Sequence, residues 1–267
     1  MALAVKRGAL GVALLTLAAC ADRPAALAIE TPVALKPLGP CPVSTWRPEA
    51  PPPTASARVS MVLLAVQEWA RFGKQTIAYS TDAPPVILQL GLKERDAPER
   101  IRDYWKSVDR PYLSGLDTRM PWSAAFVSWD IGSAGVPRDL FCPDARHTIY
   151  VERIVESAQM PGAAFFAHDP KARAPAVGDL VCASREGGRT TLHNLDRGPG
   201  HCDIVVEVRP GEIHAIGGNV GDSVNRSIFP LDPAGFLVPL PERPFFVVIE
   251  NRLPGEDAIT GSGRGRL

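Results

Sequence analysis

The sequence lacks an excess of either charge, because 29 basic residues (Lys and Arg) are matched by 29 acidic residues (Asp and Glu) among 267. Such a balance does not concentrate a polyanion at the surface, so it argues against nucleic-acid binding. The sequence also lacks metal-ligand spacing, since its five cysteines include no closely spaced pair and its five histidines are scattered. We therefore predict no bound metal and no other cofactor.

A membrane-spanning helix is not expected at the amino terminus. Lys6 and Arg7 are followed by a run of small and apolar residues from Gly8 to Ala19. About twelve residues in a helix rise only roughly 18 Å, which is shorter than the ~30 Å hydrocarbon layer. The pattern is instead typical of a signal peptide, which we place at residues 1–19.

The end of this run, Leu17-Ala18-Ala19-Cys20, resembles the lipobox of bacterial lipoproteins. The resemblance implies that Cys20 is lipidated and becomes the first residue of the mature chain. Ala21 in the next position implies sorting to the outer membrane. We therefore expect an exported protein at the periplasmic face of the cell envelope, attached to the membrane through Cys20. An ordinary secretory signal with a chance cysteine is the alternative.

Export to an oxidising compartment favours pairing of the other cysteines. Cys41, Cys142, Cys182 and Cys202 allow three connectivities. We favour Cys182 with Cys202, because the two lie in adjacent predicted strands. This choice leaves Cys41 to pair with Cys142.

Proline is abundant, with 27 residues, and nine of them lie between Arg23 and Pro53. This density disfavours helix and favours extended polyproline geometry, so we predict a tether over residues 20–54. The folded domain is predicted over residues 55–253. Residues 254–267 are rich in glycine and poor in apolar side chains, and we expect a flexible tail there.

Apolar residues recur at helical spacing in the first part of the domain and alternate in the second. The predicted helices are Ser56–Phe72, Pro98–Val108, a helix from Pro121 or Trp122 to Ser133, and Asp144–Ala158. The predicted strands are Asp179–Ala183, Cys202–Val208, Glu212–Ile216 and Phe245–Glu250, with Ser223–Phe229 as a further candidate. Helices followed by antiparallel strands predict an α+β fold with the helices on one side of the sheet.

The segment Pro121–Trp129 (PWSAAFVSW) places Ser123 in the first turn of a predicted helix. Free amide hydrogens and the positive end of the helix dipole stabilise negative charge there, which suits a nucleophile and its oxyanion. The helix dipole cannot ionise an alcohol, so a serine nucleophile also needs a histidine to remove its proton. Alternatively, Ser123 is only the N-cap of its helix.

Three short strings follow in order along the chain: Gly178-Asp179, Gly200-His201 and Gly217-Gly218-Asn219. Together with the segment around Ser123 they resemble the CHAP amidase and peptidase domains of the papain-like superfamily, which act on bacterial cell-wall peptides. The resemblance covers residues 121–250 and is closest to an uncharacterised bacterial branch in which serine replaces the nucleophilic cysteine. It implies a papain-like, CHAP-like fold.

The resemblance also implies roles for individual residues. Ser123 takes the place of the nucleophile, His201 that of the base, and Asn219 that of the residue that orients the base. Trp122, beside Ser123, would line a substrate groove. For Asn219, after two glycines, the alternative is a turn residue with left-handed backbone.

Three nearby residues are weaker candidates. We expect His147 to contact the backbone at a helix end rather than line the cleft. Asp203 lies two residues after His201 on the same strand face and is not expected to reach its ring. Cys202 faces the opposite side of the strand and is a poor nucleophile for that reason.

The expected function is therefore that of an envelope-anchored hydrolase of amide bonds in peptidoglycan peptides, with peptidoglycan or a cell-wall peptide as its partner. The alternative is a non-catalytic module that keeps the cleft and binds wall peptide or a protein. An ester hydrolase is ranked last, because the sequence lacks the Gly-x-Ser-x-Gly turn of common lipases.

Overall fold

A computed structural model describes residues 38–48, 56–185, 190–195 and 198–254. The predicted signal peptide, Cys20, much of the predicted tether and all of the tail after Pro254 lie outside these residues. The described residues belong to one compact unit. None of the helices in these ranges is long and apolar enough to span a membrane.

The described residues form four α-helices, whose ends agree with the predicted ones within three residues. They are α1 (Ala57–Arg71), α2 (Pro98–Lys106), α3 (Ser123–Ser133) and α4 (His147–Ser157). Local signals explain the boundaries. The Ser56 hydroxyl accepts a hydrogen bond from the Val59 amide and caps α1, and Pro98 occupies the first turn of α2, where its missing amide costs nothing.

The strands form one eight-stranded sheet in the order β2-β1-β7-β6-β5-β4-β8-β3. They are β1 (Gln75–Ala78), β2 (Val86–Gln89), β3 (Phe165–His168), β4 (Leu180–Ser184), β5 (Gly200–Arg209), β6 (Glu212–Val220), β7 (Ser223–Pro230) and β8 (Phe245–Asn251). The sheet is mixed, because β1 pairs with β7 in parallel. The prediction of a wholly antiparallel sheet is therefore wrong. β1, β2 and β3 were not predicted because four residues carry too little alternation to identify a strand.

The helices pack on one face of this sheet. Their apolar side chains share a core with Cys202, Ile204 and Ile216 of the sheet. The opposite face, which includes Val205, is covered by the segment between β7 and β8, where Leu237 is buried. The predicted α+β class, with the helices on one side of the sheet, is confirmed.

Both predicted disulfides are present, Cys41–Cys142 and Cys182–Cys202. Cys182 and Cys202 are direct partners in the β4–β5 ladder, with their Cα atoms 4.1 Å apart. The first disulfide joins the amino-terminal segment to the loop before α4.

Residues 38–48 lie within the predicted tether but pack against the domain. The Ser44 hydroxyl donates to Asp109 Oδ1 at 2.5 Å, and the Trp46 ring lies against Gly132 of α3. The folded part therefore begins earlier than the proline content predicts. The physical reason is the Cys41–Cys142 link, which holds a chain without regular secondary structure on the surface.

Helix α3 passes through the core and buries a carboxyl group without a partner. Asp130 is fully buried, and neither of its side-chain oxygens has a hydrogen bond among the described residues. Burial, and then the negative charge of Glu68, raise the pKa of Asp130 well above its ordinary value. The folded protein therefore favours the neutral acid, whereas the unfolded chain ionises it near pH 3.9.

We expect Asp130→Asn to stabilise the protein at pH 7. The amide has the shape of the neutral acid but does not have to take up a proton on folding, and above the unfolded pKa that protonation costs the acid about 1.4 kcal/mol for each pH unit. Because the folded pKa is raised, Asp130 destabilises the folded protein little near pH 4, the unfolded value. As the pH rises towards the folded pKa, ionisation favours the unfolded chain more strongly, so the stabilising effect of Asp130→Asn grows. Urea unfolding between pH 4 and pH 8 checks this. The exposed Asp139→Asn should change the free energy of unfolding by less than about 0.5 kcal/mol, and an equal effect of both variants would contradict the prediction.

Candidate active site

Ser123 is the first residue of α3 and its hydroxyl meets a histidine. Its Oγ lies 2.7 Å from Nε2 of His147. The N-cap position of α3 is Trp122, and no side chain caps the helix. The interpretation of Ser123 as an N-cap is therefore wrong, and the first-turn amides of α3 have no intrahelical acceptor.

His147 is the first residue of α4, and its own helix supplies a second contact. Its Nδ1 lies 2.5 Å from the hydroxyl of Tyr150, three residues further along the helix. Residues at this spacing are neighbours on one helix face. The expectation that His147 only contacts helix-end backbone is wrong. The sequence signal that could have found this arrangement is a histidine and a tyrosine at that spacing in the first turn of a predicted helix.

His201, at the start of β5, is held by two charged groups. Its Nε2 lies 2.9 Å from Asp203 Oδ1, and its Nδ1 lies 3.3 Å from Nη2 of Arg185. Guanidinium groups only donate hydrogen bonds, so Nδ1 must be the acceptor and Nε2 must carry the proton that Asp203 accepts. The expectation that Asp203 cannot reach the ring is wrong.

Gly217 on the neighbouring strand β6 makes this contact possible. A Cβ atom at that position would lie 2.0 Å from Asp203 Oδ1 and 2.9 Å from His201 Nε2. The glycine therefore leaves the space into which the two side chains turn. Sequence reasoning did not assign Gly217 this role, since the contact depends on the register between β5 and β6.

The two histidines lie together, with ring centroids 5.5 Å apart. The structure thus brings Ser123, His147, His201 and Asp203 into one buried cluster. Within the described residues Ser123 forms no hydrogen bond with His201. The imidazole that its hydroxyl contacts is that of His147. His147 is the group placed to accept the proton of Ser123.

Asn219 and Trp122 are not part of this cluster. Asn219 has a left-handed backbone (φ 58°), as expected of a turn residue. With its amide oxygen turned towards Trp122, it accepts from that residue's backbone N–H at 3.0 Å, and among the described residues it forms no hydrogen bond with either histidine. The Trp122 indole packs against Tyr104 in the core and is 1% exposed, so it does not line a substrate groove.

A pocket of about 360 Å³ opens beside the Ser123–His147 pair, and both residues line it. The rest of its wall combines apolar and basic residues, which are Trp105, Arg110, Met120, Pro121, Ala145, Arg146, Arg185, Gly198, Pro199 and Gly200. A small molecule or a segment of a peptide can therefore bind beside this pair, although Ser123 itself is only 2% exposed.

The sequence profile of one bacterial family matches residues 98–251, which include every member of this cluster. Its description is "Uncharacterized protein conserved in bacteria (DUF2272)". The chain belongs to this family. No curated protein and no solved structure matches the chain.

In this member of the DUF2272 family, both histidines favour the neutral form. Burial lowers the pKa of His147 well below its ordinary value, and the charges of His201 (when that ring is protonated), Arg185 and Arg243 lower it further. Burial likewise lowers the pKa of His201 to about 4, with Arg243 and Arg185 adding to the shift and Asp203 opposing it. A neutral ring has the unprotonated nitrogen that a general base requires.

Asp203 is ionised beside a neutral ring. Burial would raise its pKa, but the charge of His201 when that ring is protonated, its hydrogen bond, and the charges of Arg243 and Arg185 together lower it. At neutral pH the contact is therefore a neutral imidazole N–H donating to a carboxylate, rather than an ion pair. This charge-assisted bond fixes the orientation of His201.

The cluster has the parts of a nucleophilic site. A hydroxyl lies within hydrogen-bond distance of a neutral imidazole, whose nearer nitrogen is unprotonated in one of the two tautomers. The amino terminus of α3 has no side-chain cap, and free amide hydrogens of a first helical turn can stabilise an oxyanion. The described residues contain no group of three or more His, Cys, Asp or Glu side chains arranged to hold a metal ion.

Proposed function

We propose that this protein is an envelope-anchored hydrolase that cleaves amide bonds in peptidoglycan peptides, with Ser123 as nucleophile and His147 as general base. The observation that carries the proposal is the 2.7 Å contact between Ser123 Oγ and His147 Nε2 beside a pocket. This distance is within the range required for proton transfer between a nucleophile and its base.

The reaction that this geometry supports has two stages. Ser123 Oγ attacks the amide carbonyl while its proton moves to His147 Nε2, and the α3 amides stabilise the oxyanion. His147 then gives the proton to the leaving nitrogen, the C–N bond breaks, and an ester on Ser123 remains. Water hydrolyses the ester with His147 again acting as base. In the tautomer required, His147 Nδ1–H donates to Tyr150, which orients the ring.

His201 and Asn219 take supporting roles in this proposal. His201 and Asp203 form a positioned pair behind His147, and Asn219 holds the start of α3 through the Trp122 amide. The sequence resemblance to CHAP-like domains gave His201 the role of base. In the structure both of its ring nitrogens are already engaged.

Two further observations support a CHAP-like hydrolase at the envelope. A small polar residue begins a buried helix, and a histidine begins a strand of the sheet that packs against it, in the chain order that the resemblance requires. The two disulfides suit an oxidising compartment outside the cytoplasm. Export and lipidation at Cys20 are part of the same proposal.

One observation favours the alternative, a non-catalytic module that binds wall peptide or a protein. Ser123 and His147 are only 2% and 3% exposed. A binding protein that keeps the cleft of an enzyme needs no access to these atoms. The two functions differ in whether Ser123 reacts with an electrophile.

The test is to incubate the soluble domain with purified sacculi and, separately, with a serine-directed fluorophosphonate. We expect release of muropeptides and labelling of Ser123, and we expect both to be absent in Ser123→Ala. Ser128→Ala is a matched control on the same helix, because its hydroxyl contacts backbone of the loop before α4 and not a histidine. If the parent protein is neither labelled nor active, while Ser123→Cys reacts with a thiol probe, the binding module is favoured.

A further inference from the structure

The pocket beside Ser123 has a local excess of positive charge. Arg110, Arg146 and Arg185 line it, and none of its lining residues, all within the described ranges, is acidic. The chain as a whole is balanced, with 29 basic and 29 acidic residues. The basic character is therefore a property of this pocket and not of the protein surface in general.

The three arginines line the same pocket as the reactive pair. Arg185 reaches the cluster directly, with its Nη2 3.3 Å from His201 Nδ1. Arg146 immediately precedes His147, and its contact with Asp144 is long (4.0 Å) and exposed, so this pairing contributes little.

Arg110 is the third basic residue that lines the pocket. Its guanidinium lies over the Trp105 ring, 6.0 Å from the centroid, and in the described part of the chain its side chain has no hydrogen bond or ion pair. A cation–π contact at this distance leaves the guanidinium N–H groups able to donate to a ligand.

We infer that this pocket binds a carboxylate of the substrate, so that the preferred substrates are peptides with a free carboxylate close to the bond that is cut. Guanidinium groups match a carboxylate with two parallel hydrogen bonds. Trp105, Met120 and Pro121 supply apolar surface for the adjoining part of the peptide. The inference rests on the proposed function for the position of the cut bond, but the binding of the carboxylate depends on the pocket alone.

A bound carboxylate would also change the electrostatic potential at the general base, His147. Besides burial, the nearby cationic groups lower the pKa of His147, and Arg185 is one of them. A negative charge next to Arg185 offsets part of that effect and favours the protonated ring that forms during attack. Substrate binding and activation of Ser123 would then be coupled.

The test uses full-length Ser123→Ala protein, which cannot form the ester, titrated with N-acetyl-Ala-Ala, its carboxamide and inorganic phosphate by calorimetry. We expect the carboxylate to bind at least about tenfold more tightly than the carboxamide, a difference of about 1.4 kcal/mol, and more tightly than phosphate. Adding Arg110→Gln or Arg146→Gln should remove most of this advantage. Arg209→Gln is the matched control, because Arg209 lies at the other end of β5, about 30 Å from Gly200.

Equal affinity for the carboxylate and the carboxamide would overturn the inference, as would preference for phosphate, absence of binding, or equal behaviour of Arg110→Gln, Arg146→Gln and Arg209→Gln. Circular dichroism establishes that each variant is folded. Failure of the proposed function is a separate result, since it appears as an unlabelled Ser123 in the parent protein whichever ligand binds.

Discussion

His147→Gln is expected to lower the rate of Ser123 labelling by a fluorophosphonate by about 10²–10⁴-fold, the usual contribution of a positioned general base. The only ring nitrogen that Ser123 meets in the described structure is His147 Nε2. Glutamine keeps a polar group of similar length but cannot take the proton. The measurement is the second-order rate constant for loss of free Ser123, followed by gel fluorescence or intact mass.

His201→Gln is the control that separates the two histidines. In the structure His201 donates to Asp203 and accepts from Arg185, so it has no nitrogen available for Ser123. We expect its loss to slow labelling much less than the loss of His147. If instead His201→Gln abolishes labelling and His147→Gln retains it, then His201 is the base, as the resemblance implies, and the observed pairing is not the reactive one.

Asp203→Ala is expected to lower the free energy of unfolding by about 3–5 kcal/mol, as is usual when one partner of a buried charged contact is removed. Asp203 is buried, accepts the Nε2 proton of His201, and interacts electrostatically with the buried Arg243. Its removal leaves a buried N–H without an acceptor and a buried guanidinium without its compensating charge. Urea unfolding at pH 7 measures the effect.

Two comparisons make this result specific. Asp203→Asn retains an acceptor for His201 and should lose less than Asp203→Ala. Glu207→Ala on the same strand removes a more exposed carboxylate and should lose less than about 1 kcal/mol. Because the folded pKa of Asp203 is lowered, its stabilisation is complete above about pH 4, the unfolded value, and is lost as the pH falls through the folded value. A loss for Asp203→Ala no larger than that for Glu207→Ala would contradict the prediction.

The α+β class, the four helices and both disulfides could be predicted from the sequence because their signals are local. Ser56, Pro98 and Gly73 mark helix ends, and Cys182 and Cys202 lie in strands that are neighbours along the chain. The parallel pairing of β1 with β7 could not be predicted. It joins segments about 150 residues apart, and neither segment has a sequence pattern that identifies the strand with which it pairs.

The same distinction applies to the candidate site. That Ser123 begins a helix followed from Pro121 and the apolar segment after it, and that position by itself makes the hydroxyl a candidate nucleophile. Which histidine contacts Ser123 depends on how the first residues of α3 and α4 pack together. These residues are 24 positions apart in the chain and are separated by a loop without regular structure. The protonation of His201 was decided by Arg185 and Asp203, and their approach depends on strand register and on the space at Gly217. Periodicity and capping report on neighbours along the chain, whereas hydrogen-bond partners and pKa values depend on distances that only packing sets.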